Sequence, residues 1–212
     1  MTRAPGFFVV LEGIDGAGTT TQSSRLAARF ASHGAAVVQT AQPSKGPVGV
    51  RIREFLRAGA QGDALDPGAM ALLFAADRLD HLARQVEPAL ASGGVVVCDR
   101  YVLSSLAYQG VFVDVEWVAA INSRARAADL TLFVDVDVPT AAARRQARGG
   151  PADQYDEDSV QSRVRANYRA FASRPQLGRV VTVDGRGSMS QVEDALWAAV
   201  ATAWDAPPNK VG

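Results

Sequence analysis

Apolar residues recur along this chain in two alternating rhythms. Short, nearly unbroken runs at Phe7 to Glu12, Ala36 to Thr40, Val95 to Asp99, Leu130 to Asp135 and Val180 to Val183 are rich in β-branched side chains and predict strands. Between them the apolar positions fall at helical spacing, over Thr20 to Ser32, Val48 to Arg57, Pro67 to Ser92, Asp114 to Ala127, Pro139 to Arg148, Asp158 to Ser173 and Met189 to Trp204. Strands without a polar face must be covered on both sides, which predicts a mostly parallel sheet between helical layers, an α/β fold. In such sheets ligands bind beyond the carboxyl ends of the strands, where Gly13, Thr40 and Asp99 all fall. Two polar stretches break the pattern. Arg148 to Asp158, RGGPADQYDED, is expected to be a mobile connection suited to a lid, and Asp205 to Gly212, DAPPNKVG, is expected to fray.

At 212 residues and 48% hydrophobic composition the chain can bury one sizeable core, and a single domain is expected. Lys plus Arg equals Asp plus Glu at 22 each, so no overall charge draws the protein to nucleic acid or to an anionic membrane. A small anionic substrate needs only local positive charge. Cys98, the single cysteine, lies inside the apolar run VVVCD and reads as a buried, inert thiol rather than a nucleophile or metal ligand. With no intrachain disulfide to form and no apolar run long enough for a leader or a membrane span, a cytoplasmic protein is expected. His33 and His81 make no ligand spacing and are expected on helix surfaces.

Chemistry enters with Phe7 to Gln22, FFVVLEGIDGAGTTTQ, an apolar strand running into a glycine-rich turn and a polar helix start. This is the layout of a phosphate-binding loop, GxxxxGK[ST]. Gly13, Gly16, Gly18 and Thr20 stand where that pattern needs them, but Thr19 occupies the lysine position. The cradle formed by Gly13, Ile14, Asp15, Gly16, Ala17 and Gly18 can still turn its N–H groups inward as an anion nest, backed by the positive end of the helix beginning near Thr20. Thr20 or Thr21 can place a hydroxyl on Mg²⁺.

Four further segments make the pattern specific: LLFAADRLDHL at Leu72 to Leu82, DRYVLSSLAYQG at Asp99 to Gly110, DLTLFVDVDVP at Asp129 to Pro139 and ARGGPAD at Ala147 to Asp153. Their order and spacing resemble the thymidylate kinase family over almost the whole chain, from Phe7 to about Trp204. The resemblance implies a three-layer P-loop NTPase fold with a five-stranded parallel sheet and a short lid. It implies transfer of the γ-phosphate of ATP to dTMP, giving dTDP, with Mg²⁺, and a homodimer. By the same resemblance Phe74 stacks on the thymine ring and Arg78 donates to a base carbonyl, Arg100 clamps the acceptor phosphate, and Asp99 holds Mg²⁺ with Thr20. Ser105 and Gln109 match positions that meet the base, Tyr108 one that crowds the sugar 2′ position, and Asp15 the carboxylate near the acceptor phosphate. Arg144 matches an arginine near the nucleotide, and Arg148 opens the lid, where it can reach the transferring phosphates.

Plainer readings of the same residues stand beside these. Phe74 can be core with Arg78 paired to Asp77; Asp99 and Arg100 can be a structural ion pair; Asp15 can simply form the turn; Arg144 and Arg148 can be solvated helix charges. The chain also departs from the family on the phosphate side. Thr19 replaces the loop lysine, Ala41 and Gln42 in TAQPSKG replace an arginine and a glutamate, and Gln154 stands where the lid normally carries an arginine. Because phosphoryl transfer depends on positioning and charge cancellation, a replacement cation is expected from Arg148 or Lys45, with Arg144 and Arg145 as further candidates. The alternatives to a dTMP kinase are a weakened or inactive relative that binds deoxynucleotides, and a kinase for another deoxynucleoside monophosphate.

Overall fold

The computed structural model describes residues 6–149, 155 and 157–204. Its strands are β1 (Phe7–Glu12), β2 (Val37–Ala41), β3 (Val95–Asp99), β4 (Ala128–Asp135) and β5 (Gly178–Asp184). They form a parallel five-stranded sheet in the order β2-β3-β1-β4-β5. The helices are α1 (Thr19–Ser32), α2 (Pro47–Gly59), α3 (Pro67–His81), α4 (Glu87–Ala91), α5 (Val102–Tyr108), α6 (Val115–Ile121), α7 (Val138–Arg148), α8 (Asp158–Phe171) and α9 (Met189–Ala201). The lid residues 150–154 and 156 and the tail from Asp205 onward lie outside the described residues.

Strand β1 sits at the centre, and all six of its side chains are buried. The two-residue period of a strand sends Phe7, Val9 and Leu11 into the larger core, with Leu26, Phe30, Leu132 and Leu196. Phe8 and Val10 go to the other face, against Leu82, Val86, Val96 and Cys98. Each such side chain contributes about 1.5 to 3 kcal/mol by leaving water. Cys98 is fully buried, as its apolar run predicts. No helix of the described residues is long and apolar enough to cross a membrane.

Three elements differ from the periodicity. The stretch predicted as one helix from Pro67 to Ser92 is α3 and α4 joined by a π-helical turn at Leu82–Val86, a local widening often found at functional sites. The helix predicted to reach Ala127 ends at Ile121, where Asn122 caps it and returns its side-chain amide to the Val118 carbonyl, 2.8 Å away. Helix α5 was not predicted from periodicity, since three of its seven residues, Ser104, Ser105 and Ala107, are polar or small. His81 is also not on the surface: only 4% of it is exposed, and it faces β2.

Candidate active site

The turn from Gly13 to Gly18 joins the end of β1 to α1. Gly16 and Gly18 have φ near +90°, a left-handed conformation that side chains with a Cβ rarely adopt. At Gly16 a Cβ would also come within 2.3 Å of the Ala141 carbonyl, so α7 packs directly on the loop. Ile14 and Ala17 turn their side chains into the core, leaving only their backbone for a ligand. Asp15 is fixed at both backbone ends: its N–H donates to Gln161 Oε1 at 3.2 Å and its carbonyl accepts from Arg145 at 2.9 Å. Thr19 is 5% exposed at the helix start. A cavity of about 670 Å³ opens over Gly16 to Gln22, with Arg144 on its wall.

Thr20 Oγ1 donates to Asp99 Oδ2 at 2.6 Å. The other oxygen, Asp99 Oδ1, is buried and has no hydrogen-bond partner among the described residues, which is costly for a carboxylate unless a ligand completes it. A hydroxyl beside an unsatisfied carboxylate is a hard-oxygen set of the kind Mg²⁺ takes, alongside water and phosphate oxygens. Thr21, one residue on, is exposed.

A second cleft of about 290 Å³ lies beyond the ends of β1 and β3 and is lined by Phe74, Arg78, Ser105, Tyr108 and Gln109 among others. Phe74 is half-buried on its wall rather than in either core cluster. Arg78 is 1% exposed. It does not pair with Asp77, whose carboxylate instead accepts from the N–H and hydroxyl of Ser44, both at 2.6 Å. Its guanidinium donates to Gln42 Oε1 at 3.0 Å, to the Tyr101 carbonyl at 2.9 Å, to Ser105 Oγ at 3.0 Å and to Asn122 Oδ1. Burial lowers its pKa from the ordinary arginine value, against the pull of Tyr101, Glu12, Cys98 and Asp77. Gln109 Oε1 is buried without a partner among the described residues. Burial raises the Tyr108 phenol pKa, opposed by Arg100, whose guanidinium lies 5.1 Å over the ring.

Arg100 adopts φ +70°, a strained region for a non-glycine residue. The turn sends its side chain back across the loop, where it donates to the Gly13 carbonyl at 2.9 Å and approaches Asp15 at 3.7 Å. Burial works against its charge, yet Tyr108, Tyr168, Asp99 and Asp15 hold its pKa well above the usual value. Arg148, the last residue of α7, reaches Asp15 Oδ2 at 3.3 Å. Asp15, Arg100 and Arg148 are the residues that line both cavities. Arg145 anchors the loop backbone and Asp158 instead of facing a cavity, and exposed Lys45 lines neither. Gln154 lies outside the described residues.

Sequence reasoning passed over Glu12. This fully buried carboxylate accepts from the N–H groups of Tyr101 at 2.9 Å and Ser104 at 3.1 Å, from the Ser104 hydroxyl, and from Tyr168 Oη at 3.1 Å. It thereby caps α5, whose own N-cap side chain does not. Burial raises its pKa, partly offset by the Ser104 hydrogen bond and Arg100. A charge ending the run FFVVLE was the available signal. Gln161 and Tyr155, also on the cleft wall, come from α8 and the segment before it and carry no sequence signature.

A strand–glycine loop–helix phosphate cradle joined to a cleft with a polar inner wall defines a P-loop nucleotide-binding protein. The sequence profile of thymidylate kinase matches residues 11–196. The thymidylate kinase of Thermomicrobium roseum is 42% identical, with 92% of this chain and 94% of the relative covered. A probable thymidylate kinase of Pyrococcus abyssi is 39% identical over 92% of this chain and 96% of its own length. The thymidylate kinase of Pelotomaculum thermopropionicum is 42% identical, covering 83% and 85%. The chain belongs to the thymidylate kinase family.

Proposed function

We propose that this protein transfers the γ-phosphate of ATP to dTMP, with ATP over the glycine loop and dTMP in the adjoining cleft. The observation carrying this is that two cavities of the right chemistry meet at Asp15, Arg100 and Arg148. A phosphoryl group passing between nucleotides must cross such a junction, where cations can follow the moving charge. In the acceptor cleft Phe74 offers a ring face, Arg78 the one N–H left over from its four internal hydrogen bonds, and Gln109 an unpaired acceptor. That set complements a pyrimidine edge on which an N–H is flanked by carbonyls. Ser105 fixes Arg78, and Tyr108 fills the space beside the sugar.

Arg100, pre-aimed by its turn, binds the acceptor phosphate; Asp15 pairs with both Arg100 and Arg148 until the phosphates arrive. The backbone of Gly13 to Gly18 and the start of α1 at Thr19 to Thr21 grip the donor phosphates, with Arg144 beside them. Asp99 and Thr20 are the residues that would hold Mg²⁺, which supplies charge neutralisation and orientation to the donor phosphates. Arg148 takes over the charge that lysine at position 19 supplies elsewhere. The exposed side chains of Leu72 and Leu79 on α3 and Val50 on α2, 50%, 39% and 43% accessible, offer the shared face of a homodimer.

A coupled assay of ADP formation with ATP, Mg²⁺ and a panel of nucleoside monophosphates tests the proposal. Turnover with dTMP preferred is the expected result. Tight dTMP binding with no ADP formed would instead make the protein a deoxynucleotide-binding relative, and faster turnover of another acceptor would reassign the substrate.

A further inference from the structure

Gln42 stands where the resemblance sets a glutamate, and it touches both Arg78 and a buried histidine. Gln42 Oε1 accepts from Arg78 Nε at 3.0 Å, and Gln42 Nε2 lies 3.1 Å from His81 Nδ1. His81 Nε2 lies 2.7 Å from Thr40 Oγ1 and 3.2 Å from Gln85 Oε1, and Thr40 Oγ1 lies 3.1 Å from Gln85 Oε1. Gln85, four residues on and within the π-helical turn after α3, reaches the ring. Arginine can only donate. The Gln42 oxygen must therefore face Arg78, and its amide N–H must donate to His81 Nδ1. That nitrogen then carries no proton, so the ring is neutral with its proton on Nε2, donated to Thr40, whose hydroxyl donates to Gln85. Every donor direction in the chain follows from the guanidinium at its head.

We propose that Gln42 and His81 are positioning residues for Arg78, and that acceptor-base binding requires His81 in its neutral, Nε2-protonated form. Protonating Nδ1 would set two donors against each other, turn the Gln42 amide, and leave Arg78 Nε without its acceptor beside the base. The deduction rests on the cleft being the acceptor-base site. The charged groups acting on the ring are Asp77, Arg78 and Asp80, all on α3; β2 and the residue after it contribute the neutral Thr40 and Gln42. Burial lowers the pKa of His81 from 6.5, opposed by Asp77. The neutral form therefore persists at neutral pH and is lost as pH falls through a value below 6.5.

Two measurements test this. In ¹⁵N NMR of the ligand-free protein at pH 7.5, His81 is expected to show a bare Nδ1 and a protonated Nε2; the opposite tautomer overturns the relay. Thymidine, which lacks the phosphate that itself titrates near pH 6, is the probe for calorimetry. Its Kd is expected to rise about tenfold for each pH unit below the folded pKa of His81, as loss of a single required neutral form dictates. His81→Asn, which puts an oxygen where Nδ1 accepts, is expected to bind thymidine within a few-fold of wild type and to lose the pH dependence. His81→Leu is expected to weaken binding about tenfold or more at every pH. Equal binding by the two variants, or a wild-type Kd that stays flat as pH falls through the folded pKa of His81 followed in the same ¹⁵N spectra, overturns the relay; absence of thymidine binding at any pH overturns the acceptor-site assignment instead. Should His81→Leu fail to fold, the tautomer and the wild-type pH profile still decide.

Discussion

Replacing Arg148 by alanine isolates the charge that the glycine loop lacks. Its side chain is 61% exposed and tied to Asp15 across 3.3 Å, and an ion pair of that exposure holds the side chain with only about 0 to 1 kcal/mol. Moving it onto a transferring phosphate therefore costs little. One donor aimed at developing charge is worth about 3 kcal/mol in mutational series, which leaves a net of about 2 to 3 kcal/mol, or roughly 30- to 150-fold in kcat. Arg148→Ala is expected to lower kcat by that factor in the coupled assay with little change in the KM for dTMP, since on the proposed reading Arg78 and Phe74 hold the base. Thr19→Lys in the Arg148→Ala background is expected to restore most of the loss, because Thr19 lies on the same cavity wall. Lys45→Ala is expected to change little, as Lys45 lines neither cavity. A kcat for Arg148→Ala within twofold of wild type would refute the assignment of the missing charge to this residue.

Glu12→Ala strands the N–H groups of Tyr101 and Ser104, and at 1 to 3 kcal/mol per unsatisfied buried donor a loss of about 3 kcal/mol is expected in urea denaturation. Glu12→Gln keeps an acceptor for both and is expected to lose under about 1 kcal/mol; equal destabilisation by the two would show that the network is not what Glu12 provides. Phe74→Ala is expected to raise the KM for dTMP about tenfold at nearly constant kcat, on a stacking contribution of about 1 to 1.5 kcal/mol, and a pure kcat effect would place the ring elsewhere in the reaction. Asp135 accepts from Arg165 at 2.8 Å and Arg169 at 2.6 Å, bonding that lowers its pKa from 3.8 against the upward push of burial. Its contribution is present above pH 3.8 and is lost as pH falls through the folded value; Asp135→Asn is expected to cost about 1.5 kcal/mol at pH 7, and the gap to wild type is expected to narrow as pH falls below 3.8, as measured by thermal unfolding.

Strands were legible because a parallel sheet buried on both faces leaves a continuous apolar run, and β1 and β3 match their runs from first residue to last. Helix ends were less legible. The end of α6 depends on Asn122 accepting from Arg78, a residue 44 positions earlier, and no local pattern announces such a partner. The glycine loop and the Asp99–Arg100 turn could be read because backbone conformation there demands particular residues. His81 and Gln161 could not, because their roles arise where separate elements meet, and the charge ending FFVVLE marks Glu12 without naming its partners. His81 looked like a surface histidine only while Thr40 and Gln42 were not known to cover it.

The departures that the resemblance marks at positions 19, 41 and 42 share a physical logic. Position 19 gives up a charge fixed to the rigid start of α1, while Arg148 stands at the end of α7 beside Gly149, whose φ is +65°. Ala41 and Gln42 remove further charge from the acceptor rim, so Arg78 is held by neutral oxygens rather than a carboxylate. A buried cation whose hydrogen-bond acceptors are all neutral raises the cost of an empty cleft and increases the gain when a base carbonyl arrives. Charge in this site thus follows ligand occupancy more than in a site carrying the lysine. On that basis Gln42→Glu, which pairs Arg78 permanently, is expected to stabilise the ligand-free protein while weakening thymidine binding. If it strengthens binding instead, the neutral surroundings of Arg78 are not what favours the base.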